Sequence, residues 1–185
     1  MSKGTHETEI KLRVKDARSG RKLLLDDGFI VTQKRVFEAN TVFDTQDLTL
    51  RGTSRLLRLR EAGKVVTLTY KGVPEIGKHK SREEIELTLQ SAPAMAAILE
   101  RLGYRRVFRY EKYRTEFEQP GRKGVAMLDE TPVGVFLELE GTPHWIDRTA
   151  RRLGFHEGDY LTVSYGRVYQ QWCEANGRTA ADMVF

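Results

Sequence analysis

The sequence has little of several features that define other classes of protein. A single cysteine, Cys173, excludes an intramolecular disulfide framework and a cysteine-based zinc site. No apolar run approaches the roughly 20 residues that span a bilayer, and the chain starts MSKGTHETEIK, without an apolar signal core. We therefore expect a cytoplasmic protein with no membrane partner.

Proline is also scarce, with five in 185 residues, and no low-complexity stretch or linker interrupts the chain. At roughly 150 residues per domain, this length predicts one domain over residues 1–185. The last residues, 176–185, show no periodic pattern, and their order stays open at this stage. The net charge of +5 is modest for 185 residues, so the positions of the charges are more informative than their sum.

Charged and apolar residues alternate in seven segments, a pattern typical of strands with one charged and one apolar face. In the segment 7–14, Glu7, Glu9 and Lys11 share one face, opposite Ile10 and Leu12. The same pattern recurs in 56–60, 64–71, 82–89, 112–118, 125–130 and 133–140. Helical spacing of apolar residues is found in 16–27, 92–102, 144–153 and 164–175. The first three of these helices end in Gly followed by an aromatic residue, as at a left-handed helix cap.

The charged strand faces carry carboxylates and cations in matching numbers, which indicates that they face one another. If the helices cover the apolar faces, the simplest closed arrangement is an antiparallel barrel with an ionic interior and helices packed on the outside. Dry burial of so many ions is costly, so we expect a wet interior that holds a ligand. The predicted fold class is therefore α+β.

Two pairs of carboxylates, Glu7 with Glu9 and Glu138 with Glu140, lie two residues apart on their strands. Such pairs project to the same side about 6.5–7 Å apart, a spacing that a hydrated divalent cation can bridge. Oxygen ligands without His or Cys favour Mg²⁺ or Mn²⁺ over zinc. Arg and Lys on the same faces supply cations for phosphate oxygens. A metal and a basic cage together imply a small-molecule substrate with several phosphates.

Seven short motifs follow one another in order along almost the whole chain. They are Glu7-Thr-Glu9-Ile-Lys11, Phe43-Asp44-Thr45 with Leu57-Arg58-Leu59-Arg60, Thr69-Tyr70-Lys71-Gly72, Arg82-x-Glu84-x-Glu86, Lys112-x-Arg114, Asp129, and Gly134-Val-Phe-Leu-Glu138-Leu-Glu140. In this order they resemble the CYTH superfamily, the triphosphate tunnel metalloenzymes. That superfamily includes thiamine triphosphatases, inorganic triphosphatases and class IV adenylyl cyclases. The resemblance implies a closed, eight-stranded antiparallel tunnel in which a triphosphate lies.

The resemblance also implies roles for individual residues. The implied metal ligands are Glu7, Glu9, Asp129, Glu138 and Glu140, with Glu84 and Glu86 as further carboxylates for a second ion. The implied phosphate-binding residues are Lys11, Arg58, Arg60, Lys71, Arg82, Lys112 and Arg114. The sequence does not identify the general base, the number of metal ions or the oligomeric state.

Three functions remain open from the sequence. The first is a metal-dependent triphosphatase that acts on inorganic triphosphate, thiamine triphosphate or a nucleoside triphosphate. The second is a class IV adenylyl cyclase, although the His-Phe pair that bacterial cyclases carry upstream of the first Glu is not found in Met1–Thr5. The third is a polyphosphate- or nucleic-acid-binding module. Nucleic-acid binding usually combines exposed basic runs with aromatic stacking platforms, whereas the aromatic residues of this chain lie mostly on the uncharged strand faces or on helices. A closed tunnel would also exclude a nucleic acid duplex.

No spacing in the sequence indicates a pocket for adenine or thiamine. Among the three kinds of triphosphate, the inorganic one therefore needs the fewest assumptions. We expect kcat/KM for inorganic triphosphate to exceed that for ATP, and the sequence does not identify the physiological triphosphate.

Overall fold

The eight strands of this protein close into an antiparallel barrel. The computed structural model describes residues 5–75 and 77–185. The expectations about the start of the chain rest on Met1–Gly4, which lie outside the described residues. The strands are β1 (Thr5–Val14), β2 (Ile30–Asp44), β3 (Leu56–Ala62), β4 (Val65–Lys71), β5 (Lys80–Leu89), β6 (Arg105–Glu118), β7 (Val125–Thr131) and β8 (Gly134–Glu140). They pair in the order β1-β5-β4-β3-β2-β6-β7-β8, and β8 pairs with β1 to complete the circle. The predicted α+β barrel is confirmed.

Helices pack on the outside of the barrel, as the sequence predicted. They are α1 (Ala17–Asp26), α2 (Thr49–Gly52), α3 (Ala92–Arg101), α4 (Pro143–Arg152) and α5 (Tyr165–Ala175). A Ser, Thr or Asp side chain caps the N-terminus of each of the four long helices.

The predicted Gly caps are present at the C-terminal ends of α1, α3 and α4. Gly28, Gly103 and Gly154 adopt positive φ angles of 80°, 90° and 87°. The aromatic residue after each Gly donates its backbone N–H to a carbonyl five residues earlier, at 2.9–3.0 Å. This bond closes the helix end and directs the chain back to the barrel.

Strand β2 is the one strand that alternation did not reveal. Its pairing with β6 shifts register between Val31 and Gln33, between Gln33 and Val36, and between Val42 and Phe43. Each shift breaks the two-residue repeat of side-chain direction, because an irregularity moves the following residues to the other face. The strand is therefore present without the uniform pattern that marks the other seven.

The apolar core lies between the barrel wall and the helices. Ile10, Leu12, Leu137 and Leu139 are fully buried in the cluster that also contains residues of α1 and α4. Helix α1 approaches the wall closely at Gly20, where a Cβ atom would lie 2.8 Å from a methyl group of Leu128. The barrel is thus apolar outside and ionic inside.

The helices leave one part of the barrel uncovered. On the outer face of β5, Ile85 and Leu87 remain 37% and 57% exposed. No helix in the described ranges is long and apolar enough to cross a membrane.

The C-terminal segment after α5 runs along β6. Met183 is 1% exposed and exchanges backbone hydrogen bonds with Arg109 and Glu111, each 2.9 Å long. Residues 176–185 contain no helix or multi-residue strand, yet Met183 fixes their position against the barrel.

Candidate functional site

The interior of the barrel holds a cavity of about 1180 Å³. Alternate residues of the strands point into it, because successive side chains on a strand face opposite sides. All but one of the predicted site residues line this cavity: Glu7, Glu9, Lys11, Arg58, Arg60, Lys71, Arg82, Glu84, Glu86, Lys112, Arg114, Glu138 and Glu140. The exception is Asp129, which is 0% exposed. The strands therefore bring residues from distant parts of the sequence to one place.

Lys11 lies at the centre of a set of ion pairs on the β1–β8 wall. Its Nζ is 3.1 Å from Glu9 Oε1 and 3.1 Å from Glu138 Oε2. Lys80 also donates to Glu9 Oε1, at 2.7 Å. Burial opposes the charge of Glu9, but Lys11 and Lys80 outweigh it and lower the pKa of Glu9 well below its usual value. These side chains are therefore charged before any ligand enters.

Arginines and Lys71 form a second set of ion pairs on the β3–β5 wall. Lys71 lies 2.5 Å from Glu84, and Arg58 Nη2 donates to Thr69 Oγ1 at 3.0 Å. Burial and the nearby charge of Arg58 lower the pKa of Lys71 to about 8. The Nε of Arg58 is buried and has no hydrogen-bond partner among the residues that the structure describes. An unpaired buried donor of this kind is costly unless a ligand or water accepts its hydrogen bond.

Asp129 lies on the inner face of β7, buried beneath side chains that line the cavity, and both its carboxylate oxygens accept hydrogen bonds. Arg114 donates to Oδ1 and Oδ2 at 2.7 Å each, and Lys112 donates to Oδ2 at 2.9 Å. Tyr165 donates its hydroxyl to Oδ2 at 2.6 Å. Burial opposes the charge of Asp129, but Arg114 and Lys112 outweigh it and lower its pKa to about 2. Asp129 is therefore the counter-ion of two cations in this structure, and the metal-binding role that the resemblance implied stays a prediction.

Three interior polar residues were missed by sequence reasoning. Glu38 is 2% exposed and lies 3.5 Å from Lys112 and 3.8 Å from Arg60. Burial opposes its charge, but Lys112 is the first of several cations that lower its pKa to about 2. Asn40 is fully buried, and neither polar atom of its side chain has a hydrogen-bond partner.

A signal for these residues exists in the sequence. Glu38 and Asn40 are two residues apart in β2. Lys80 is the third residue that was missed, and it lies two residues before Arg82 in β5. Spacing of two places each pair on one strand face. The register is regular from Val36 to Val42, but the apolar residues Val36 and Val42 share the strand face of Glu38 and Asn40, so this stretch shows no clear alternation.

Glu7 and Glu140 differ from the other carboxylates of the cavity, and we call them the acidic pair. Neither forms an ion pair with any residue in the described part of the chain. Burial raises the pKa of Glu7 to about 8, and the charges of Glu140 and Glu84 add to this effect. Burial also raises the pKa of Glu140 to about 7, with Glu138 and Glu9 adding to it. Nearby cations, Lys71 for both residues and Arg114 for Glu140, are therefore too weak to offset burial and repulsion at the acidic pair.

The acidic pair fits a divalent cation. Carboxylate oxygens are the donors that Mg²⁺ and Mn²⁺ prefer, and a nearby cation would favour the charged forms that burial and neighbouring carboxylates oppose. Within residues 5–75 and 77–185, no three His, Cys, Asp or Glu side chains form a group that could hold an ion alone. Mg²⁺ is often bound by one or two carboxylates together with substrate phosphates, and Glu7 and Glu140 could supply the carboxylates of such a partial site.

Comparisons with known proteins agree with this geometry. The chain matches the family model for the CYTH domain over residues 5–165. It is 33% identical over 136 residues to a Methanocaldococcus jannaschii protein named "Putative adenylate cyclase", an alignment that covers 72% of this chain and 75% of that protein.

Solved structures share the fold. A "putative adenylate cyclase" of Vibrio parahaemolyticus superimposes with a TM-score of 0.77 at 22% identity, covering 90% of this chain and 99% of that one. A "putative adenylyl cyclase" of Hippeastrum, described as having a dominant triphosphatase activity, superimposes with a TM-score of 0.65 at 20% identity, covering 94% and 97%. Because the family model spans most of the chain, including all eight tunnel strands, this protein belongs to the CYTH domain family.

Proposed function

We propose that this protein is a divalent-metal-dependent phosphohydrolase that cleaves a triphosphate held in the tunnel. The observation that carries the proposal is that one cavity is lined both by cations and by the acidic pair. Arg58, Lys71 and Arg114 are among the cations that line it, whereas Glu7 and Glu140 form no ion pair with any described residue, and their pKa values are raised. A chain of phosphates fits the first group, and a divalent cation fits the second.

Binding of the triphosphate follows from the contacts of the cations. Arg58 offers an unpaired Nε donor, which a phosphate oxygen would accept. Arg60 makes only long contacts, at 3.8 Å, to Glu38 and Glu86, so phosphate oxygens can take its hydrogen bonds with little competition. Arginine binds phosphate by bidentate hydrogen bonds and lysine as a point charge. Cations that already have hydrogen-bond partners, such as Arg114 on Asp129, are held in place before the substrate arrives, which reduces reorganisation during the reaction.

Catalysis in such a site rests on positioning and charge stabilisation. Polarisation of a phosphoryl oxygen is the chemistry that a divalent cation supplies when bound. Lys11 and Arg114 lie on two different strands and contact Glu138 at 3.1 and 3.0 Å. Their positive charges would stabilise the negative charge that develops on the phosphates. We assign no general base.

The second candidate is an adenylyl cyclase, which the name of the Methanocaldococcus jannaschii relative favours. Cyclisation needs the ribose 3′-hydroxyl held about 3–3.5 Å from the α-phosphorus, and therefore a pocket that grips the nucleoside. The side chains described above would hold phosphates and a metal ion, and none of them is assigned to a nucleoside, so hydrolysis needs fewer features of the site. A non-catalytic polyphosphate-binding module is the third candidate, and it would bind triphosphate without turnover.

A substrate panel separates these candidates. We expect kcat/KM for inorganic triphosphate to exceed kcat/KM for ATP, and any turnover of ATP to give ADP and orthophosphate. The measurement is separate quantification of orthophosphate, pyrophosphate and cyclic AMP in the presence of Mg²⁺ or Mn²⁺. Stoichiometric cyclic AMP and pyrophosphate from ATP, with inorganic triphosphate inert, would instead identify a cyclase.

A further inference from the structure

Tyr165 joins helix α5 to the charged interior of the barrel. It is the first residue of α5, next to the capping residue Ser164, and is 6% exposed. Its hydroxyl donates to Asp129 Oδ2 at 2.6 Å. The centre of its ring lies 5.1 Å from Nζ of Lys11 and 5.1 Å from Nζ of Lys112. One side chain thus touches two cations from strands that β7 and β8 separate.

The hydroxyl of Tyr165 shares Asp129 Oδ2 with two cationic donors. Arg114 Nη2 and Lys112 Nζ donate to the same oxygen, at 2.7 and 2.9 Å. Burial and the charge of Asp129 raise the pKa of Tyr165 well above its usual value, so its hydroxyl remains a neutral donor. A neutral donor occupies the carboxylate oxygen without adding positive charge. Without it, Asp129 Oδ2 would be shared by two donors instead of three, and its hydrogen bond with Lys112 would become stronger.

We propose that Tyr165 is a positioning residue for the phosphate-binding cations and acts through Asp129 on Lys112. By occupying Asp129 Oδ2, the hydroxyl limits the hold of the carboxylate on Lys112 and keeps the ammonium available to the cavity. The ring, in contact with Lys112 and Lys11, keeps both ammonium groups close to the path of the substrate. The inference rests on the proposed function in one respect, that the ligand of the cavity is a triphosphate.

The first test replaces only the hydroxyl. Tyr165→Phe keeps the buried ring and its contacts with both ammonium groups. We expect binding of inorganic triphosphate in excess chelator, measured by isothermal titration calorimetry, to weaken about tenfold, the effect of one hydrogen bond at a charged group. Tyr160→Phe is the matched control, because Tyr160 donates a similar hydrogen bond to Asp147, at 3.2 Å, outside the cavity. Unchanged affinity in Tyr165→Phe would overturn the proposal.

A double-mutant cycle separates positioning from general structural support. If Tyr165 acts through Lys112, Tyr165→Phe should cause no further loss of affinity in a Lys112→Met background. An equal loss in both backgrounds would overturn the proposal, because a structural defect is independent of Lys112. In steady-state assays the single variant should raise KM and leave kcat nearly unchanged. If the wild-type protein binds inorganic triphosphate but does not hydrolyse it, the proposed function is contradicted. The affinity measurements would still test the positioning role of Tyr165.

Discussion

Glu140→Gln should lower the rate of triphosphate hydrolysis by at least about 10²-fold, because it removes a negative charge from the proposed metal site without changing the shape of the side chain. The same substitution should leave the metal-free protein at least as stable as the wild type. Burial and repulsion from Glu138 and Glu9 raise the pKa of Glu140 to about 7, so the charged form is unfavourable in the fold. Steady-state rates and melting temperatures without metal measure the two effects.

Glu130→Gln is the matched control for this variant. Glu130 pairs with Arg35 at 2.7 Å on an exposed part of the barrel, and its replacement should change the hydrolysis rate little. Mg²⁺ should raise the melting temperature of the wild type and of Glu130→Gln by binding only the folded state. It should do so less for Glu140→Gln. A Glu140→Gln protein with the wild-type rate and the wild-type response to Mg²⁺ would remove Glu140 from the metal site.

Arg58→Met should weaken binding of inorganic triphosphate by about 10²-fold, because several charge-assisted hydrogen bonds are lost while the aliphatic bulk remains. Binding of orthophosphate should weaken less, since a single phosphate need not occupy the position of Arg58. Isothermal titration calorimetry with both ligands measures the difference. Equal losses for the two ligands would place Arg58 outside the path of the triphosphate.

The next residue on the same strand supplies the control. Leu59 is 5% exposed and packs on the outer face with Phe43 and Leu99. Leu59→Ala should lower the free energy of unfolding by about 2–5 kcal/mol through a cavity beneath α3. Its affinity for triphosphate should stay close to that of the wild type. A stable Leu59→Ala protein with lost affinity would mean that the two faces of β3 are exchanged.

The strand faces and the helix ends were predictable because each depends on a local rule. Glu7, Glu9 and Lys11 alternate with apolar residues in β1, and the structure places all three on the cavity side. Gly28, Gly103 and Gly154 end helices at the predicted positions. A repeat of two residues and a Gly before an aromatic residue need no knowledge of distant contacts.

The pairing of charges inside the barrel was not predictable, since it depends on the register of eight strands. The sequence placed Asp129 with the other carboxylates, and the structure adds that it is buried against Arg114, Lys112 and Tyr165. Glu38 was missed because apolar residues share its face of β2, so that stretch lacks a charged face. Only the closed sheet shows that Glu7 and Glu140 lack a cationic partner among the described residues.

Release of orthophosphate from inorganic triphosphate, with and without divalent cations, tests metal-dependent hydrolysis in the tunnel most directly. Excess chelator should lower the rate by at least about 10²-fold, and addition of Mg²⁺ or Mn²⁺ beyond the chelator should restore it, because the acidic pair and the phosphates need a cation between them. The assay uses the wild-type protein and follows orthophosphate over time. An undiminished rate in excess chelator would contradict the proposed metal-dependent mechanism.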